Sequence, residues 1–241
     1  MTHAPWATGP QLFRRTFARR CPRLRVEVLE DRAVPSVLYD EAVSGDLSDS
    51  QSAPTPLTTA LGTNSVLGTV GGATGSQDWL TLHIPTGMQL DSLVLFAYVS
   101  ADPQGFIGVQ QGTTFVGSTF SPESYLGYAH FGTAAANNGP PTNLVGANIL
   151  PIMADPSSAP GSQGFDPPLA AGDYTFLIQQ LGSNTTYRFD FNTSVPLAPD
   201  LTIVKTHAGN FTQGDADDTY TITVANGGNA ATSGTVTVTD V

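Results

Sequence analysis

Basic residues are scarce in this 241-residue chain: nine lysines and arginines stand against twenty aspartates and glutamates, for a formal net charge of −11. Seven of the nine are arginines in the first 32 positions, namely Arg14, Arg15, Arg19, Arg20, Arg23, Arg25 and Arg32. Only Arg188 and Lys205 follow. An acidic body repels phosphate backbones, so nucleic acid is not the expected partner. Cysteine is reduced to Cys21, which excludes an intramolecular disulfide and leaves stability to packing. Phe17, Ala18, Arg19 and Arg20 before it lack the apolar run of a lipidation signal. No stretch approaches the ~20 apolar residues of a membrane-spanning helix. No apolar core of a conventional secretory signal follows the arginines. The four histidines, His3, His83, His130 and His207, show no spacing that sets two metal ligands on one face. A Gly-x-Ser-x-Gly elbow and a phosphate-binding loop are both missing. The chain is therefore read as non-catalytic.

What remains is rich in β-forming and turn-forming residues. Charged residues make up 12% of the chain, about half the usual share of a soluble globular protein. There are 25 glycines and 18 prolines. Short runs with period-two alternation recur between turn signals, at 64–70, 78–84, 91–99, 105–110, 125–131, 173–181 and 185–193. Tyr187, Phe189 and Phe191 share one face of the last run, and Arg188, Asp190 and Asn192 the other. Such alternation predicts one buried and one wet sheet face. His83, between Leu82 and Ile84, falls on a wet face. Gly182-Ser183-Asn184 predicts a hairpin between the last two runs. With no long helical periodicity, the fold class is all-β: an antiparallel sandwich.

The charge split divides the chain. Residues 1–36 form a basic head, expected to be disordered. Residues 37–56, acidic and rich in serine and proline, read as a linker whose first residues add an edge strand. The sandwich occupies 57–195, and a second β unit 199–241. Residues 132–168 are long for a connection without structure. Within them 143–153 carries enough apolar content for a strand or short helix.

Three stretches resemble known families. Leu29-Glu30-Asp31-Arg32, followed by Val34-Pro35-Ser36, resembles the Leu-Glu-Pro-Arg or Leu-Glu-Asp-Arg motif that opens many large bacterial surface and exported proteins. It implies cell-envelope targeting. Asp78-Trp79-Leu80-Thr81-Leu82-His83-Ile84-Pro85-Thr86-Gly87 and Leu169-Ala170-Ala171-Gly172-Asp173-Tyr174 resemble landmarks of the bacterial pre-peptidase C-terminal-like domain. Gly105–Gln110 replaces that family's Asp-Leu-x-Leu strand. This resemblance implies a jelly-roll-like sandwich without catalysis of its own. Asp200–Thr206, Tyr220–Gly228 and Thr235–Asp240 resemble the DUF11 surface repeat. That implies an Ig-like sandwich. Such a fold needs about 100 residues, so only part of one is expected here.

Calcium is the ion the residues suit best. Asp215, Asp217 and Asp218 cluster after Gly214, and loop carboxylates supply the oxygen ligands that calcium takes. Asp46 and Asp49 in the linker form a sparser pair for the same ion. Trp79, Tyr98, Tyr125 and Tyr128 are candidate sugar-stacking rings if their faces are exposed. The expected role is a structural or adhesive module of an exported bacterial surface protein, extracellular or in the cell envelope. Its partners would be envelope or extracellular-matrix components. A carbohydrate- or calcium-binding module and the accessory region of a secreted hydrolase are the alternatives.

Overall fold

A computed structural model describes residues 36–72, 75–214, 216 and 218–239. The arginine-rich head and the Leu29–Arg32 motif lie outside the described residues. In chain order the elements are β1 (Ser36–Asp40), α1 (Glu41–Ser44), β2 (Thr55–Thr58), β3 (Gly62–Val70), β4 (Gln77–Ile84), β5 (Gln89–Val99) and β6 (Gln104–Gln111). They continue with β7 (Gly127–Gly132), α2 (Leu150–Ala154), β8 (Gly172–Gln179), β9 (Thr185–Ser194), β10 (Leu201–His207) and β11 (Tyr220–Asn226). Each expected run is a strand, with ends shifted by a residue or two.

The strands build an all-β sandwich. One sheet has the order β1-β3-β9-β5 and the other β2-β4-β8-β6-β7. β1 and β2 pair parallel with β3 and β4, and the other ladders are antiparallel. From β3 to β9 the chain changes sheet at every step except the β6–β7 hairpin and the long return from β7 to β8. Residues 146–149 run beside β5, with Gly146 N–H donating to Leu95 O at 2.7 Å and Ile149 N–H to Leu93 O at 2.8 Å. They fill the eighth strand position of a jelly roll. The apolar stretch 143–153 thus supplies both an edge segment and α2.

The core lies between the sheets and is closed by rings meeting across it. Phe131 on β7 meets Phe189 on β9 at 5.0 Å, and Phe176 on β8 meets Phe191 on β9 at 5.3 Å, both edge-on. Edge-to-face pairs add to area burial because the positive ring edge meets the negative face.

Three expectations need correction. β8 and β9 are not a hairpin: they belong to opposite sheets, and residues 180–184 cross between them. Both strands bury an apolar stripe against the same core, from opposite sides of it, an arrangement that alternation along either strand does not distinguish from a hairpin. Secondly, the outer face of the β4–β8 region is not wet. Trp79, Phe115, Tyr125 and Leu177 form a second buried cluster there, with Trp79 and Tyr125 each 5.0–5.1 Å from Phe115. The loop after β6 folds back over that face, its Phe115 N–H bonded to Gln51 O at 2.9 Å. His83, further along β4, is exposed as expected, its Nδ1 2.7 Å from Asp173 Oδ1.

Thirdly, residues 37–56 are not a free linker, although their first residues do add the expected edge strand, β1. β1 and β2 extend one sheet each, Trp79 N–H donates to Ser48 O at 2.8 Å, and Leu47 is 2% exposed within the main core. Leu47 anchors the segment, with Leu38 and Tyr39 packed against the same core, and burying a leucine is worth ~1.5–3 kcal/mol.

β10 and β11 form a two-stranded antiparallel ribbon of their own. The register puts Leu201, Ile203, Tyr220, Ile222 and Val224 on one face, all exposed. Residues 235–239, within the last stretch that resembles the DUF11 repeat, have no strand assignment.

Candidate functional site

The most unusual chemistry sits at one end of the sandwich. Alternation along β4 turns Asp78 inward with Leu80, Leu82 and Ile84, so a carboxylate occupies a core position. Asp78 is fully buried. Tyr187, inward on β9 of the opposite sheet, donates its hydroxyl to Asp78 Oδ2 at 2.8 Å. The bond ties the two sheets together. Asp78 Oδ1 has no hydrogen-bond partner.

Gly68 on β3 makes room for this arrangement. A Cβ there would collide with the Tyr187 hydroxyl and lie 3.1 Å from Glu41 Cδ. Any larger residue would push the tyrosine off Asp78.

The segment after β1 closes over this end. Asp40 caps α1, its Oδ1 accepting from Ala42 N–H at 3.0 Å. Gly45 ends the helix at φ +90°, a conformation that glycine adopts without strain. Tyr39 donates its hydroxyl to Gly45 O at 3.0 Å. Glu41 Oε2 accepts from Thr69 N–H at 2.6 Å and Thr69 Oγ1 at 3.1 Å, and Oε1 from Leu47 N–H at 3.1 Å. Oxygen atoms of Glu41, Asp46 and Asp78 then lie within 4.8 Å of one another.

No cation offsets this charge among the described residues. Arg188 is committed elsewhere: its Nε and Nη2 meet Asp190 at 2.8 and 3.1 Å, and its guanidinium lies 3.9 Å over the Phe96 ring. The other ion pair found there joins His83 to Asp173. Burial therefore pushes the Asp78 carboxyl up to about 8, against a lowering by the Tyr187 hydrogen bond, and Glu41, Asp46 and Asp49 push the same way. Glu41 is also raised, chiefly by burial and despite its bonds from Thr69 and Leu47. Burial foremost, then the Asp78 charge, raises the Tyr187 hydroxyl well above its ordinary value.

Beside the cluster runs a groove of about 700 Å³ whose lining includes Glu41, Asp46, Leu67, Phe96, Val99 and Arg188. Phe96 is 53% exposed there. The rings expected to stack on sugars are elsewhere. Trp79, Tyr98 and Tyr125 are buried, and half-buried Tyr128 donates its hydroxyl to Pro160 O at 2.8 Å. Three of them sit on strands, as alternation implies, and Tyr125 just before β7. The loop covering the outer sheet face, which alternation does not reveal, removes Trp79 and Tyr125 from solvent.

Of the expected calcium ligands, Asp215 and Asp217 lie outside the described residues, and Asp218 is exposed just before β11. Asp46 does join a carboxylate cluster, with Glu41 and Asp78 as partners that sequence reasoning missed. The signal for Asp78 was available: an acid in phase with Leu80, Leu82 and Ile84. Glu41 carried no such mark, because the fold of 37–56 brings it in.

Comparison with family models, curated proteins and solved structures finds no match to this chain.

Proposed function

We propose that this chain is a non-catalytic structural or adhesive module of an exported bacterial surface protein. The observation that carries the reading is the pairing of an arginine-rich head and its Leu29-Glu30-Asp31-Arg32 motif with a jelly-roll sandwich that spends Trp79, Tyr98 and Tyr125 on packing. Sandwiches of this size expose broad sheet faces and loops, which suit spacing and display. The DUF11-like landmarks after Pro199 fit the same role, since such repeats recur in surface proteins.

Localisation tests it. Antibodies against the sandwich should label intact cells of the native host, and external protease should remove the label. Deleting residues 1–36 should retain the protein inside. Label confined to the cytosol of the undeleted strain contradicts the proposal.

A second reading, a calcium-binding module, is favoured by the cluster of Glu41, Asp46 and Asp78.

A further inference from the structure

We propose that Glu41, Asp46 and Asp78 bind one calcium-class divalent cation, which staples the segment following β1 onto the end of the sandwich. The first ground is spacing. Calcium sits 2.3–2.6 Å from its oxygen ligands, so two oxygens on opposite sides of one ion stand about 4.6–5.2 Å apart. The three carboxylates already lie within 4.8 Å of one another. Three oxygens so spaced lie no more than about 2.8 Å from a common point, so small side-chain adjustments bring all three within reach of one ion.

The second ground is independent of the clustering. Asp78 is fully buried, and its Oδ1 has no partner. Such an atom loses its hydration and gains nothing in return, a cost that buried polar groups normally avoid. A hard cation supplies the missing interaction and offsets the neighbouring acids. Asp49, whose charge also acts on Asp78, adds to the negative field that draws a cation in. Water can complete the shell, as it commonly does for calcium.

The staple has a direction. Asp78 belongs to β4, inside the sandwich, whereas Glu41 and Asp46 belong to the segment that leads in from β1. A bound ion therefore fixes the entering chain to the sandwich. Calcium in extracellular modules binds at roughly 10⁻⁴–10⁻³ M, which would make this junction stiff where calcium is plentiful and looser where it is not. The site rests on geometry and not on the export reading: absence of a calcium response leaves localisation untouched, and cytosolic labelling leaves the site untouched.

Calorimetric titration of the chelator-treated full chain with calcium chloride, and in parallel with magnesium chloride, tests it. One saturable calcium site is expected, together with protection of residues 40–52 from limited proteolysis. Asp46→Asn should weaken calcium by roughly tenfold or more. Asp46 is exposed, so this variant should keep the melting temperature of the wild type in chelator, and that melt serves as the folding control. A variant with Asp215→Asn, Asp217→Asn and Asp218→Asn should retain the site. No heat at millimolar calcium overturns the proposal. So does a site that survives Asp46→Asn but not the triple change, or an equal affinity for magnesium.

Discussion

Replacing Asp78 by asparagine keeps an acceptor for the Tyr187 hydroxyl and removes the ionisable group from the sandwich interior. Burial and acidic neighbours move this carboxyl from 3.8 to about 8. A tenfold change in proton affinity is worth about 1.4 kcal/mol, so an ionised Asp78 costs the folded state on the order of 5 kcal/mol relative to the unfolded chain. The folded protein holds a proton that the unfolded chain has released at any pH between about 4 and 8. Without cation, stability contributed by this group is fully present below the lower limit and is lost as pH rises to the upper one, at about 1.4 kcal/mol for each tenfold drop in proton concentration. Asp78→Asn removes that slope. Its amide also brings a donor to a carboxyl position whose Oδ1 was unpaired. Urea unfolding in chelator at several pH values across this window measures the effect. The wild type should lose stability steadily with rising pH, and the variant should hold its own. Parallel curves for the two proteins would refute the reasoning, because they would mean that Asp78 is ionised at no special cost.

Other perturbations follow from the same packing. Gly68→Ala forces Tyr187 away from Asp78 and should destabilise the fold by about 1–3 kcal/mol, read by urea unfolding. Leu47→Ala empties the anchor of the entering segment. It should cost about 2–5 kcal/mol if the sandwich and segment unfold together, and limited proteolysis should then cut first within residues 40–52. On the β10–β11 ribbon, Ile203 pairs across from Val224 on an uncovered apolar face. Ile203→Thr with Val224→Thr should reduce concentration-dependent association in sedimentation velocity, since exposed strand edges and apolar faces promote it.

The strands were legible because their periodicity is local. Tyr187, Phe189 and Phe191 alternate with polar residues, and that pattern holds whatever sheet the strand joins. Sheet membership is not local: Gly182-Ser183-Asn184 serves a hairpin or a crossing equally well, and only the second sheet's apolar face decides between them. The same limit hid the fate of 37–56. Its composition is that of a linker, yet Leu47 finds a core and two short strands find edges. The site was the least legible part. Glu41 and Asp78 are far apart in the chain, and nothing in their spacing joins them. What alternation did hold was the anomaly at Asp78, an acid in a core phase, which marks a place where local pattern and burial disagree.

The most direct measurement is an anomalous difference map from crystals of the full chain grown with calcium. A single peak is expected at 2.3–2.6 Å from oxygens of Glu41, Asp46 and Asp78, with the segment after β1 held against β4. A map without a peak there, and with Asp78 Oδ1 hydrogen-bonded to a neighbouring carboxylate, would contradict the cation staple.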